Sequence, residues 1–169
     1  MKFIKRYYWV FLSVALILLD QLTKWLVSDK IAINESIVLI TDFFSLTHVR
    51  NTGAAFGIFA GHRWVFLVFS SIVLIAALAL LLSKKIKSHW GIVATALILA
   101  GGAGNMIDRI FLGEVIDFFA FNFWGYEFAV FNVADIFVCC GTFLLAFYIL
   151  TTKDFDSPKK QEETVDGEN

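Results

Sequence analysis

The stretch VFNVADIFVCCGTFLLAFYIL, residues 130–150, decides the fold of this 169-residue chain. It is apolar along most of its length, and a helix of roughly 20 residues is long enough to cross a hydrocarbon core of about 30 Å. Asn132 and Asp135 lie near its start, although ionisable groups inside a membrane are costly unless they are paired or functional. The stretch therefore predicts a transmembrane helix that carries a polar site at one end.

Three other stretches have the same length and apolar character. The sequence predicts helices over about 7–27, 64–82, 90–107 and 130–150. The first is interpreted as a retained helix, because its apolar run continues without a clear small-residue cleavage site. Hydrophobic residues make up 59% of the chain, which is more than in a soluble domain. We therefore predict an all-α integral membrane protein, with one domain over residues 1–152 and a disordered, charged cytoplasmic tail over 153–169.

Clustered basic residues predict how the chain crosses the membrane. Nine of the fourteen lie in three places: Lys2, Lys5 and Arg6; Lys84, Lys85 and Lys87; and Lys153, Lys159 and Lys160. The positive-inside rule assigns all three clusters to the cytoplasm. Both termini are then cytoplasmic, and residues 28–63 and 108–129 lie outside. The net charge of −1 gives no reason to expect nucleic acid as a partner.

The first outer segment contains a pattern that is typical of strands. SIVLITDFFSLTHVRN, residues 36–51, is rich in β-branched and aromatic residues and alternates in its second half. It predicts a small β-sheet lying on the outer membrane surface. For the following NTGAAFGIFAG, residues 51–61, composition favours a plain loop, although its glycines also permit a sharp turn or a close backbone approach.

Polar side chains recur at one depth of the predicted helices. Asp20 and Lys24 are four residues apart, which places them on one helix face. They indicate either an interfacial salt bridge, with Lys24 reaching toward water, or a direct role in a site. At the end of the third helix, Asn105, Asp108 and Arg109 form a polar stripe at i, i+3 and i+4. For Arg109, pairing with a carboxylate is favoured over holding a substrate carbonyl.

Two further carboxylates, Asp117 and Asp135, are predicted at the same outer boundary. Asp117 lies in GEVIDFFAF, a short apolar stretch expected in the membrane interface. Two carboxylates close together repel unless they share a proton, and such a pair can act as general acid and base on water. Zinc, serine-nucleophile and phosphate-loop motifs are absent from the sequence, and its three histidines, His48, His62 and His89, lack ligand spacing. We therefore expect carboxylate chemistry without a metal.

Two other classes of function remain open on the residues alone. An ion transporter or channel would also place aspartates in a membrane, but a relay needs polar groups through the whole thickness. Here the polar groups form one layer. A non-catalytic assembly module would use the small residues of the third helix, which let membrane helices touch closely. These residues are Ala96, Ala100, Gly101 and Gly104.

The two cysteines of the chain are adjacent, at Cys139 and Cys140, deep in the fourth helix. This spacing suits neither a metal site nor a mutual structural disulfide. Thiols buried in apolar surroundings are usually inert, and we interpret both as packing residues.

Five blocks of the sequence together resemble the bacterial lipoprotein signal peptidases, the signal peptidase II family. The blocks are DQLTK (20–24), RNTGAAFGIF (50–59), GGAGNMIDR (101–109), GEVIDFF (113–119) and FNVAD (131–135), in the family's order. Jointly they are highly specific. The resemblance implies four membrane helices with a small outer β-sheet. It also implies an aspartic endopeptidase of the cytoplasmic membrane that cuts prolipoproteins just before their lipid-modified cysteine.

The resemblance further implies roles for single residues. Asp117 and Asp135 match the catalytic pair, and the residues expected to bind or orient the substrate are Asp20, Lys24, Asn51, Gly53, Asn105, Asp108, Arg109 and Asn132. The implied partners are diacylglyceryl-modified prolipoproteins and membrane lipids, with no cofactor, an active site near the outer face and a monomeric enzyme. Two positions depart from the pattern: Ala129, where the family often has proline, and Ile136, where it often has a small polar residue.

Overall fold

The computed structural model describes residues 2–53, 61–83 and 85–152. Within these ranges the chain forms four long helices and four short strands. The helices are α1, Lys2–Lys30; α2, Arg63–Leu82; α3, His89–Phe111; and α4, Val133–Thr151. The strands are β1, Ser36–Ile40; β2, Phe44–Asn51; β3, Val115–Phe123; and β4, Tyr126–Glu127. All four helices are long and apolar enough to cross a membrane, so the prediction of a mostly helical membrane protein with a small sheet is confirmed.

Three helices differ by three or more residues from their predicted bounds at the end that meets the sheet. The first is predicted to end near 27, whereas α1 continues to Lys30. The sequence predicts that the third helix ends near 107, whereas α3 continues to Phe111 and keeps Asp108 and Arg109 helical. The fourth is predicted from 130, whereas α4 begins at Val133 because Asn132 caps it. The predicted tail, residues 153–169, and most of the glycine-rich loop, residues 54–60, lie outside the described residues.

Helix α3 lies at the centre of the bundle and packs against α1, α2 and α4. Its closest contact is with α4, where the two backbones touch at glycines on both helices. A Cβ atom at Gly101 would collide with the carbonyl oxygen of Ala134, and one at Gly141 would lie 2.7 Å from the carbonyl oxygen of Ala94. Close backbone approach of this kind is how membrane helices associate without a hydrophobic driving force.

The strands form one antiparallel sheet in the order β1-β2-β3-β4. Residues 36–51 supply β1 and β2, the region in which the sequence predicts strands. From the sequence, the region of β3 is predicted only as a short apolar stretch in the membrane interface. Its residues, VIDFFAFNF, show no clean alternation of apolar and polar side chains. Strand β3 turns into β4 at Trp124 and Gly125, whose φ angles of 52° and 90° fit a tight type I′ hairpin.

The sheet packs against one end of the helix bundle. Val27 and Ile31 at the end of α1 form a buried apolar cluster with Ile116 and Phe118 of β3. Backbone bonds also join β3 to the residue before the α4 cap, since Phe131 O accepts hydrogen bonds from the backbone N–H groups of Phe118 and Phe119 at 3.0 and 2.8 Å. The end of α1, the start of α4 and the middle strand β3 therefore meet in one place.

Candidate active site

Asp117 of β3 and Asp135 in the first turn of α4 are joined by Asn132. The Asn132 side-chain amide donates to Asp117 Oδ1 at 2.7 Å, and its backbone N–H donates to Asp135 Oδ2 at 3.0 Å. The Asn132 Oδ1 atom accepts from the Asp135 backbone N–H at 3.0 Å, which completes a capping box at the start of α4. Asn132 therefore caps the helix and also links the two carboxylates by hydrogen bonds.

Two more asparagines fix the outer oxygens of these carboxylates. Asn51, at the end of β2, donates to Asp117 Oδ2 at 2.8 Å, and Asn105 of α3 donates to Asp135 Oδ1 at 2.7 Å. The Asn105 oxygen accepts a hydrogen bond from the Asn132 amide at 3.0 Å. Both carboxyl groups thus have a set orientation, and each receives at least two N–H donors.

The two carboxyl groups differ in their surroundings. Asp117 is only 3% exposed, and burial raises its pKa to about 7; hydrogen bonding from Asn51 and Asn132 lowers it, and the charge of Asp135 raises it further. Asp135 is only partly buried and lies in the first turn of α4, where the helix dipole favours a negative charge. The two carboxyl groups of the site therefore lie in unlike environments.

Beneath the two carboxylates, Lys24 lies at the centre of a buried ionic cluster. Its ammonium group contacts Asp20 Oδ2 at 2.9 Å and Asp108 Oδ2 at 2.8 Å, and it donates to Asn105 Oδ1 at 3.0 Å. Lys24 is 1% exposed, so it does not reach toward water as an interfacial salt bridge would. It connects the ionic cluster to Asn105, which in turn orients Asp135.

The carboxylates of this cluster also bind backbone N–H groups of neighbouring elements. Asp20 Oδ1 accepts from Ala134 at 2.9 Å, and Asp108 Oδ2 accepts from Ile116 at 3.2 Å. Gln21 donates to Asp108 Oδ1 at 3.0 Å. Gln21 is not predicted from the sequence as a site residue, because a neutral amide beside charged residues carries no distinctive signal. The cluster ties α1 and α3 to β3 and α4.

Arg109 is expected from the sequence to pair with a carboxylate, but the structure gives it other partners. Its guanidinium group donates to Gly53 O at 3.1 Å and lies over the Phe66 ring, 4.7 Å from the ring centre. Within the described ranges it forms no ion pair. The Gly53 N–H in turn donates to Asn51 Oδ1 at 2.9 Å. A second guanidinium N–H lies 3.5 Å from Asn105 O. Arg109 therefore supports the loop after β2.

A cavity of about 490 Å³ opens beside the two carboxylates. Its polar lining comprises Asn51, Gly53, Asn105, Arg109, Asp117 and Asp135, and the rest of its wall is apolar. Ala129 and Ile136, the two departures from the family pattern, both line it. Cys139 and Cys140 line it as well and are exposed, so their interpretation as buried packing residues is wrong. That face of α4 points into the cavity rather than into the bundle.

The structure thus brings the predicted site residues to one end of the bundle. The sequence matches the family described as "Signal peptidase (SPase) II" over residues 12–151. It is 45% identical to the lipoprotein signal peptidase of Halalkalibacterium halodurans, over 89% of this chain and 95% of that relative. It is 38% identical to the lipoprotein signal peptidase of Bacillus pumilus, over 94% of this chain and 99% of the relative.

The fold agrees with these relatives. A solved bacterial membrane enzyme superposes with a TM-score of 0.78 at 34% identity, over 92% of this chain and 93% of that one. These likenesses decide against an ion transporter and an assembly module. The chain belongs to the signal peptidase II family, and is a multi-pass membrane aspartic peptidase that removes signal peptides from prolipoproteins.

Proposed function

We propose that Asp117 and Asp135 are the catalytic pair of this peptidase, and that it cleaves the peptide bond before a diacylglyceryl-modified cysteine. One observation carries the proposal: Asn132 hydrogen-bonds both carboxylates, and both line the same cavity. Two carboxyl groups with unlike environments are the arrangement that acid–base hydrolysis by a shared proton requires.

In the proposed reaction, one carboxyl group begins ionised and the other protonated. The ionised group takes a proton from water as the water oxygen attacks the scissile carbonyl carbon, and the protonated group donates to the developing oxyanion. Proton transfer to the leaving nitrogen then releases the signal peptide. The raised pKa of Asp117 makes it the natural carrier of the shared proton in the free enzyme, although apparent pKa values belong to the coupled pair.

The remaining predicted site residues fall into two groups by what they touch. Asn51, Asn105 and Asn132 orient the carboxylates directly. Arg109 and Gly53 line the cavity, so we assign them to the binding of the substrate backbone. Asp20, Lys24 and Asp108 lie in the buried ionic cluster and act through Asn105 and the start of α4.

The apolar wall of the cavity suits a lipid-modified substrate. Cys139 and Cys140 are exposed on a helix that is long and apolar enough to span the membrane, so the cavity meets the lipid side of the bundle there. A diacylglyceryl chain that enters sideways from the bilayer would lie against this wall while its peptide reaches Asp117 and Asp135. The apolar wall keeps the acyl chain out of water, and exposing the chain to water would cost about 0.8 kcal/mol per methylene group.

The topology that we propose sets the sheet and the catalytic pair at the outer membrane face. The supporting observation is that the basic residues of the described connection between α2 and α3, Lys85 and Lys87, lie at the end of the bundle away from the sheet, and basic connections face the cytoplasm. Both termini are then cytoplasmic. We further propose a monomeric enzyme, since both carboxylates and the asparagines that orient them come from one chain.

Cleavage of a purified diacylglyceryl-modified precursor in detergent tests the catalytic pair. Asp117→Asn and Asp135→Asn should each abolish cleavage, because neither amide can share the proton. Asp42→Asn is the matched control: Asp42 is exposed in the β1–β2 turn with a φ of 57°, a conformation that asparagine tolerates. We expect this control to retain parental activity.

The same assay tests the substrate. The enzyme should cleave the lipidated precursor and leave the same precursor without its lipid intact. Near-parental activity in Asp117→Asn or Asp135→Asn would overturn the assignment of the pair, and equal cleavage of both precursors would overturn recognition of the lipid.

A further inference from the structure

The pairing of β2 with β3 contains an irregularity next to the catalytic pair. Leu46 pairs with Phe119, but Val49 pairs with Asp117, so three steps along β2 match two steps along β3. The extra residue forms a β-bulge at Thr47 and His48. Bulges of this kind redirect side chains and occur beside active sites.

The bulge decides which face of the sheet Asn51 occupies. Side chains alternate between faces along a strand, so a shift of one residue moves every following side chain to the other face. With the bulge, Val49 and Asn51 share the face of Asp117, and Asn51 donates to Asp117 Oδ2 at 2.8 Å. Without it, the regular register from Leu46 would turn Asn51 away from Asp117.

His48 lies in this bulge and is held by four hydrogen bonds. Its backbone N–H donates to Glu35 O at 3.1 Å, and its carbonyl accepts from Asn34 at 2.8 Å. Its ring Nδ1 lies 2.7 Å from Ile31 O, immediately after α1, and its ring Nε2 accepts from Arg50 Nε at 3.1 Å. The ring is buried, with the residue 2% exposed.

These partners define the state of the ring. A carbonyl oxygen can only accept, so Nδ1 carries the hydrogen that bonds Ile31, and Nε2 keeps the lone pair that the Arg50 N–H requires. The neutral ring satisfies both bonds at once. Arg50 also faces Glu114 at 3.8 Å, which holds its guanidinium group in place beside the ring.

We propose that His48 is a positioning residue for peptide hydrolysis: its Nδ1–H bond to Ile31 O locks the bulge that presents Asn51 to Asp117. The inference rests on the proposed catalytic role of Asp117. His48 touches neither carboxylate and acts only through the register of β2. The bond ties that register to the end of α1, whose Val27 and Ile31 already pack against β3.

The kinetics of His48→Leu test the proposal. Loss of the ring bond should lower kcat by roughly 10- to 100-fold, because small misplacements of catalytic groups have effects of that size, while KM changes little. The alkaline limb of the kcat/KM profile should move to higher pH, as in Asn51→Ala, because both variants deprive Asp117 of an N–H donor. His48→Asn should restore much of kcat, since its amide nitrogen stands where ring Nδ1 does.

A double variant separates positioning from general destabilisation. If His48 acts through Asn51, His48→Leu with Asn51→Ala should be no slower than Asn51→Ala alone. His89→Leu is the matched control, because His89 lies at the start of α3 and is exposed; it should leave kcat unchanged. If His48→Leu unfolds in detergent, His48→Gln, whose amide is one carbon too far out to replace Nδ1, takes its place in the cycle.

Additive losses in the double variant, or an unshifted alkaline limb in the His48 variant, would overturn the inference. Asp117→Asn distinguishes this failure from failure of the proposed function. If Asp117→Asn is inactive and the losses in the double variant are additive, only the proposed role of His48 is rejected. If Asp117→Asn is active, the proposed catalytic pair is itself rejected.

Discussion

At the scale of single residues, Asn132 offsets the free-energy cost of burying carboxylates, because it hydrogen-bonds both of them. Its amide, its backbone N–H and its oxygen each bind a different partner, Asp117 Oδ1, Asp135 Oδ2 and the Asp135 N–H. Asp117 is left buried, and Asp135 is left at a helix N-terminus. The environment alone therefore makes two identical side chains chemically different.

The pH dependence of cleavage follows from the shared proton. Because the pKa of Asp117 is raised to about 7, the pair loses its shared proton around neutral pH, and kcat/KM should decline above it. Asn51→Ala removes a hydrogen bond that lowers this pKa, so the alkaline limb should move to higher pH while the maximal rate falls. Rates measured from about pH 5 to about pH 9 on a lipidated precursor check this; a limb that moves to lower pH would contradict it.

Stability should depend on pH through the same group. A carboxyl group whose folded-state pKa lies above its unfolded value binds more protons in the folded state, so stability is lost as pH rises. For Asp117 the window runs from its ordinary value near 3.8 to about 7. Thermal unfolding in detergent should show Asp117→Asn losing less stability than the parent across this window. An identical pH dependence in both proteins would argue against a buried, proton-binding Asp117.

Charged site residues can be predicted from the sequence, because a charged residue within an otherwise apolar helix is unusual. Asp20, Lys24 and Asp135 can be recognised for this reason from their positions along the chain alone. Gln21 and His48 are not assigned a role, because an uncharged amide and a histidine without ligand spacing are common in any chain. Their roles depend on bonds to other elements, to Asp108 and to Ile31, which spacing along the chain does not reveal.

At the scale of elements, the ionic cluster around Lys24 fastens α1 to α3 and, through the Asp20 carboxylate, to the start of α4. Lys24→Met should destabilise the protein by about 3–5 kcal/mol, because it leaves buried carboxylates without their cation. Lys30→Met is the matched control, since its ion pair with Asp29 is exposed and exposed ion pairs contribute little to stability. Unfolding in a denaturing detergent series compares the two; similar losses would show that the cluster does not fasten the helices.

The contact between α3 and α4 is limited by glycines at the backbone. Gly141→Ala would bring a methyl group to 2.7 Å from Ala94 O and 2.9 Å from Ile98 N, neither of which can move without moving α3. We expect a loss of about 1–3 kcal/mol. Gly102→Ala meets only the flexible Leu74 side chain at 3.0 Å and gains helix propensity, so it should be close to neutral. Equal unfolding temperatures for the two variants would contradict this account.

Helices are predicted from the sequence more completely than the sheet is. A membrane helix needs only length and apolarity, which residues 64–82 already show. In strand β3, Ile116 and Phe118 belong to the buried cluster with α1. The positions that alternate with them include Phe119 and Phe121, so both faces carry apolar side chains and the period of two disappears. The hairpin after it turns at Trp124 and Gly125, without the Asn-Gly signal by which such turns are recognised.

At the scale of the whole molecule, the site depends on elements that are distant in sequence. Its polar residues come from four different elements: Asn51 from β2, Asn105 from α3, Asp117 from β3 and Asp135 from α4. They meet because the sheet packs against one end of the bundle. In the topology that we propose, the carboxyl groups lie near the membrane boundary, where substrate lipid and water are both within reach. A catalytic pair at the bilayer centre would lack the water that the proposed reaction consumes.

The proposed topology predicts which end of the helix bundle faces the outside of the membrane. Trp124, at the β3–β4 turn, is 100% exposed, and Lys87, between α2 and α3, is exposed at the other end of the bundle. In a background with Cys139→Ser and Cys140→Ser, Trp124→Cys should react in intact spheroplasts with a maleimide that cannot cross membranes. Lys87→Cys should react only after the membrane is permeabilised, because basic connections stay in the cytoplasm. The reverse labelling pattern would put the catalytic pair on the cytoplasmic side, where it could not meet a signal peptide whose mature portion has been exported.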